Sequence, residues 1–165
     1  EEPFEGEERV LVASPKVATY DLKPEMSVNQ VAEAMATAIL STKFSLVMGN
    51  LAPPDMVGHT GKFDETVRAV EATDAAIGII YEACKRVGVT LFITSDHGNA
   101  EKMTSDDGTK PHTAHTCAPV PFIMCTEKNW KLQDDGALCD VAPSILDYLN
   151  IEKPQEMTGK SLLLK

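Results

Sequence analysis

The sequence predicts an α/β domain with a mainly parallel sheet and helices on both faces, three layers in all. Two observations carry that expectation. Apolar runs of strand length alternate with amphipathic runs of helix length, the order that builds β-α-β units. The runs that read as strands are apolar on both faces instead of alternating, as expected of strands covered by helices on two sides.

Taken in order, residues 1–9 are acidic and read as an exposed lead-in. Residues 10–12 suit a short strand. Residues 14–24 hold Pro15 and Pro24, which push the chain toward extended or turning conformations. A helix follows, because Ser27 with Gln30 makes a capping box and Val28, Val31, Met35 and Ile39 recur at helical spacing. Residues 44–48 are a compact apolar run closed by Gly49 and Asn50, and 51–61, LAPPDMVGHTG, are rich in turn formers. The spacing then predicts a long helix over 63–87, with Phe63, Val67, Val70, Ile77, Ile80, Tyr81, Cys84 and Val87 as its stripe and Gly88 as its stop. Asp74 falls on that stripe and reads as a buried, partnered carboxylate. VTLFIT, 89–94, is the most strand-like run; 98–118 is a polar loop, and 119–125, PVPFIMC, a further buried strand. Residues 139–149 suit a short helix with Asp140 as N-cap, although Pro143 disturbs its first turn.

The 165 residues fit one domain, which would bury roughly 70% of its unfolded surface. With 25 acidic and 15 basic side chains the net charge is −10, which argues against nucleic acid or an anionic membrane as partner. No apolar run is long enough to span a bilayer, and no segment resembles a signal peptide. The chain lacks a starting methionine and has three arginines, Arg9, Arg68 and Arg86; part of a longer protein is the expectation. Cys84, Cys117, Cys125 and Cys139 form no CxxC pair, so a zinc ribbon is rejected and a reducing, cytoplasmic setting is expected. Nothing suggests an obligate interface, and a monomer is expected.

All four histidines fall between residues 59 and 115. The loop after the 44–48 run gives Asp55 and His59, four apart, able to face one side of a turn. The loop after 89–94 gives the adjacent pair Asp96 and His97. Neighbours on a strand point to opposite faces, so this pair shares a metal only where the strand has ended, as Gly98 permits, or serves two metals. His112 and His115 precede the next strand. Carboxylate oxygen with imidazole nitrogen suits zinc, manganese and related divalent ions. Five or six such ligands exceed one closed site, and two neighbouring metals are an arrangement for phosphoryl transfer. TGKS, 158–161, is no phosphate-binding loop, because Pro154 stands where its first glycine is required. Asp106, Asp107 and Gly108 lack the alternating acids of an EF-hand and read as a solvated turn.

These words resemble the metal-dependent, cofactor-independent phosphoglycerate mutases of the alkaline phosphatase superfamily. The matching segments are SPKVATYDLKPEMS (14–27), PDMVGHTGKF (54–63), ITSDHGNAE (93–101) and HTAHTCAPVPF (112–122), and MTGKSLL near the end also fits. The resemblance implies an alkaline-phosphatase-like fold. It also implies that Asp55, His59 and His115 bind one metal, that Asp96 and His97 bind a second, and that His112 supports them. The metals would be manganese, with cobalt or zinc possible, and the reaction would interconvert 3- and 2-phosphoglycerate through a phosphoserine. The family's nucleophilic serine word, its N-terminal aspartate and its inserted substrate domain have no counterpart here. Residues 1–165 are therefore expected to be the C-terminal part of the phosphatase-like domain, an incomplete domain whose partners are the phosphoglycerate substrate and the N-terminal remainder. The alternatives are another phosphomutase or phosphatase of the superfamily, or a metal-stabilised module without activity of its own.

Overall fold

The computed structural model describes residues 2–164. Its elements run α1 (Val28–Leu40), α2 (Pro53–Gly58), α3 (Phe63–Val87), β1 (Leu91–Thr94), β2 (Phe122–Cys125), β3 (Lys131–Leu132), α4 (Val141–Tyr148) and β4 (Leu163–Leu164). Short 3-10 turns occupy Tyr20–Leu22 and Leu138–Asp140. The chain is α/β. It divides into two compact units: the described residues up to Gly88 with His97–Ala118, and Val89–Asp96 with the described residues from Pro119 onward.

In the first unit α1 and α2 both pack on α3. The face of α3 that is buried carries Thr66, Ala69, Ala76, Ile80, Ala83 and Cys84, and α1 contributes Val28 and Ala32. Small side chains let two helices approach closely. The stripe its large residues suggest is buried only in part: Ile80 and Cys84 are inside, whereas Phe63, Val67, Val70 and Tyr81 are exposed. Asp74, expected to be buried, is exposed for the same reason. Gly88 does end the helix, in the left-handed region at φ 68° with its N–H on the last-turn carbonyls.

Three local expectations give way. Ser27 does not cap α1; its hydroxyl donates to the Ala13 carbonyl at 2.8 Å. The turn-rich segment contains the helix α2, because prolines in its first turn lack only N–H groups that would be unpaired there anyway. Residues 10–12 and 44–48 form no strand and join no ladder among the described residues. Leu11 is 97% and Met48 90% exposed. An apolar run becomes a strand only where a neighbour offers hydrogen bonds.

In the second unit β1 pairs with β2 in the register Leu91↔Cys125 to Thr94↔Phe122, and β3 pairs with β4. Both pairs are antiparallel, which corrects the expectation of a mainly parallel sheet. The physical reason lies in the connection. A parallel return needs a crossover, usually a helix, and none lies between β1 and β2. Phe92 stacks on Phe122 and meets Tyr148 edge-on.

The C-terminal word TGKS is structural. Asp140 Oδ1 accepts the Lys160 N–H at 2.8 Å and Oδ2 accepts the Ala137 N–H at 2.9 Å. These two backbone donors, Lys160 first, hold its carboxyl below the ordinary carboxylate range. Asp140 thus clasps the chain instead of capping α4 with its side chain. Ser144, fully buried, donates to the Asp140 carbonyl and accepts the Leu162 N–H. Gly159 rests on the Cys139 carbonyl, where no Cβ would fit. All four cysteines are free thiols, Cys84 buried, Cys117 and Cys139 exposed. No helix among the described residues is long and apolar enough to cross a membrane.

Candidate metal centre

Asp55 lies in α2 and His59 follows as its C-cap residue, with the His59 N–H on the Asp55 carbonyl at 3.0 Å. The helical spacing of four puts both side chains on one face. His59 Nε2 stands 3.2 Å from Asp55 Oδ1. Its other nitrogen, Nδ1, is 2.6 Å from the Thr113 carbonyl. A carbonyl only accepts, so Nδ1 carries a proton, and in the neutral ring the lone pair of Nε2 faces Asp55.

His97 and His115 come from two loops tied by an isolated bridge, in which the Thr116 N–H donates to the Gly98 carbonyl at 2.8 Å. Gly98 has no room for a side chain, since a Cβ there would sit 2.7 Å from the Glu101 carboxylate. The Thr116 hydroxyl donates to that carboxylate. This bond, more than any other, holds Glu101 below the usual carboxylate range. The tie sets the two histidine rings face to face, 3.6 Å apart and 19° from parallel.

The result is a cluster centred on Asp55 Oδ1. His59 Nε2 and His115 Nε2 are each 3.2 Å from it and 3.0 Å from one another. His97 Nδ1 is 4.0 Å from the same oxygen. Ligand atoms of Asp55, His97 and His115 lie within 4.8 Å of each other. A divalent ion bound by nitrogen and oxygen at about 2.0–2.2 Å holds neighbouring ligands roughly 3–3.5 Å apart. Imidazole nitrogens and a carboxylate oxygen converging at this spacing can share a cation. The donor set and its spacing fit a metal ion.

Of the residues expected at the site, Asp55, His59, His97 and His115 come together. The ring of His97, expected to serve a second ion with Asp96, stacks on that of His115. Asp96 is exposed and belongs to the other compact unit. His112 is outside the cluster; its backbone N–H bonds the Met103 carbonyl, and its Nδ1 is buried without a hydrogen-bond partner among the described residues. Sequence reasoning overlooked Asn99, which is buried with its amide Nδ2 2.7 Å from Asp55 Oδ1. The only available signal was a polar residue inside the DHGNAE word.

A family model described as Metalloenzyme superfamily matches residues 1–153. The chain belongs to the metalloenzyme superfamily. Among its relatives in that superfamily, the 2,3-bisphosphoglycerate-independent phosphoglycerate mutase of Pseudomonas putida (strain GB-1) is 52% identical over 164 residues, matching 99% of this chain and 32% of that protein. The one from Onchocerca volvulus is 54% identical over 170 residues, with 100% and 33% covered. A crystal structure of Leishmania mexicana phosphoglycerate mutase at low cobalt concentration superposes with a TM-score of 0.84 at 28% identity, covering 93% of this chain and 31% of that one. The chain spans about a third of the length of the curated relatives it matches. Superfamily membership, with the Asp55–His97–His115 group, points to dependence on a divalent metal.

Proposed function

We propose that this chain is the C-terminal, metal-binding portion of a cofactor-independent phosphoglycerate mutase, working in glycolysis and gluconeogenesis. One observation carries the reading: Asp55 Oδ1 is ringed by imidazole nitrogens at ligand spacing. The similarity of the mutases named above supports the substrate assignment.

In this reading Asp55, His59 and His115 hold one divalent ion, and Asp96 and His97 contribute to a second. Manganese is the expected metal, with cobalt or zinc possible. The bound ions would activate the serine oxygen and neutralise the charge of the transferred phosphoryl group. The residues of this chain fix that arrangement. The Thr113 carbonyl holds the His59 tautomer and ring, as an outer partner does for a ligating histidine. The Gly98–Thr116 bridge and Glu101 hold the two histidine loops together. The nucleophilic serine and the groups that grip phosphoglycerate lie in an N-terminal remainder. The exposed apolar segments at Val10, Leu11, Leu46 and Met48 are the kind of surface that a neighbouring strand covers. A monomeric enzyme in the reducing cytoplasm suits the four free thiols.

The test uses the complete enzyme. His59→Ala and His115→Ala should each abolish metal retention and the formation of 2-phosphoglycerate from 3-phosphoglycerate. Normal metal content in both variants contradicts the ligand assignment. A metal-loaded enzyme that forms no 2-phosphoglycerate moves the reading to another phosphomutase or phosphatase of the superfamily.

A further inference from the structure

Asn99 is 4% exposed and sits in the loop just after His97. Its Nδ2 is 2.7 Å from Asp55 Oδ1 and 3.4 Å from His59 Nε2. Its Oδ1 is buried with no hydrogen-bond partner among the described residues. A buried carbonyl left this way is unfavourable, and an amide serving only the fold would turn it toward a donor. The orientation is fixed by Asp55. A carboxylate only accepts, so flipping the amide would set one oxygen against another.

Gly58 makes the room. It is buried, and a Cβ at that position would come 2.5 Å from Asn99 Oδ1. The local sequence therefore leaves out a side chain at 58 so that an amide can stand behind Asp55, with its own carbonyl unpaired.

We propose that Asn99 is the positioning residue of the metal centre. Its amide N–H occupies one lone pair of Asp55 Oδ1, fixes the carboxylate rotamer, and leaves the other lone pair facing the histidine nitrogens. Gly58 is the permissive partner. This rests on the metal reading above. Outer partners of ligating groups act in this way, and their loss typically weakens metal binding by about 10–100-fold.

The test is a Co2+ titration of the chain, reading affinity by competition with a chelator and geometry by visible absorption. The melting temperature of each metal-free sample is recorded alongside. Asn99→Leu keeps bulk and removes the donor, whereas Gly58→Ala keeps the donor and displaces it. Both should bind Co2+ about 10–100-fold more weakly, with a shifted absorption band. Unchanged affinity and spectrum in both variants overturn the assignment. So does weaker binding with an unshifted band that merely follows a fall in melting temperature, which marks a structural residue only. If the unsubstituted chain binds no Co2+, the metal reading itself fails and this inference fails with it. If the unsubstituted chain binds and the variants match it, only the role of Asn99 is lost.

Discussion

Asp140 and Asp55 are both carboxylates drawn into the protein, one in each compact unit, and they are treated in opposite ways. Each oxygen of Asp140 has a backbone donor of its own, from Lys160 and Ala137. Its neighbours Ser144 and Ser161 have their hydroxyls engaged as well. Asp55 instead presents an oxygen to three imidazoles at 3.2 to 4.0 Å, with one amide donor behind it. A saturated carboxylate is part of the fold. A carboxylate ringed by imidazole nitrogens at this spacing has the donor set of a metal ligand. Asp140 is buried and Asp55 half-buried, but it is the partners that tell their roles apart.

The largest expected effect breaks the contrast at both ends. Asp55→Ala should weaken divalent-metal binding by more than about 100-fold, beyond the loss typical of an outer partner, and leave the melting temperature of the metal-free chain nearly unchanged. Asp140→Ala should do the reverse, lowering the melting temperature while metal stoichiometry by elemental analysis stays the same. A second substitution sharpens the contrast between close packing and site. Ala76 is fully buried on α3, and Ala76→Leu should cost about 1–3 kcal/mol in urea unfolding through overpacking, with the metal-free histidine cluster unaltered.

Acid provides a third test. The folded carboxyl of Asp140 lies below its ordinary value of 3.8. Between those two values the unfolded chain binds more protons than the folded one, so stability falls as pH falls. The contribution is complete above the ordinary value and is lost as pH drops through the depressed one. Melting curves between pH 5 and pH 2 should show that loss, and Asp140→Asn should flatten it. The smallest effect is expected at Asp74, which is exposed on α3. Asp74→Asn should change stability by less than about 0.5 kcal/mol.

Much of this was legible from local pattern. The bounds of α3 follow from its periodicity and the glycine after it, and β1 and β2 lie inside the two most strand-like runs. The face of α3 was legible only in part, at Ile80 and Cys84. Periodicity marks large apolar residues, but α1 and α2 select alanines that allow close contact, so Phe63 and Val67 stay outside. Residues 44–48 have strand composition and no ladder, because pairing depends on a neighbour and not on the run itself. The histidines were visible as a group, since few residue types ligate metal. The meeting of His97 with His115 depends on a single bridge at Gly98, and Asn99 depends on a gap at Gly58; neither has a periodic signature.

The most direct measurement is the metal content of the purified chain after equilibration with Mn2+ or Co2+ and removal of free ion, compared with Asp55→Ala. The account predicts one tightly held ion per chain, lost in the variant. No bound ion in the unsubstituted chain, or equal content in both, would contradict it.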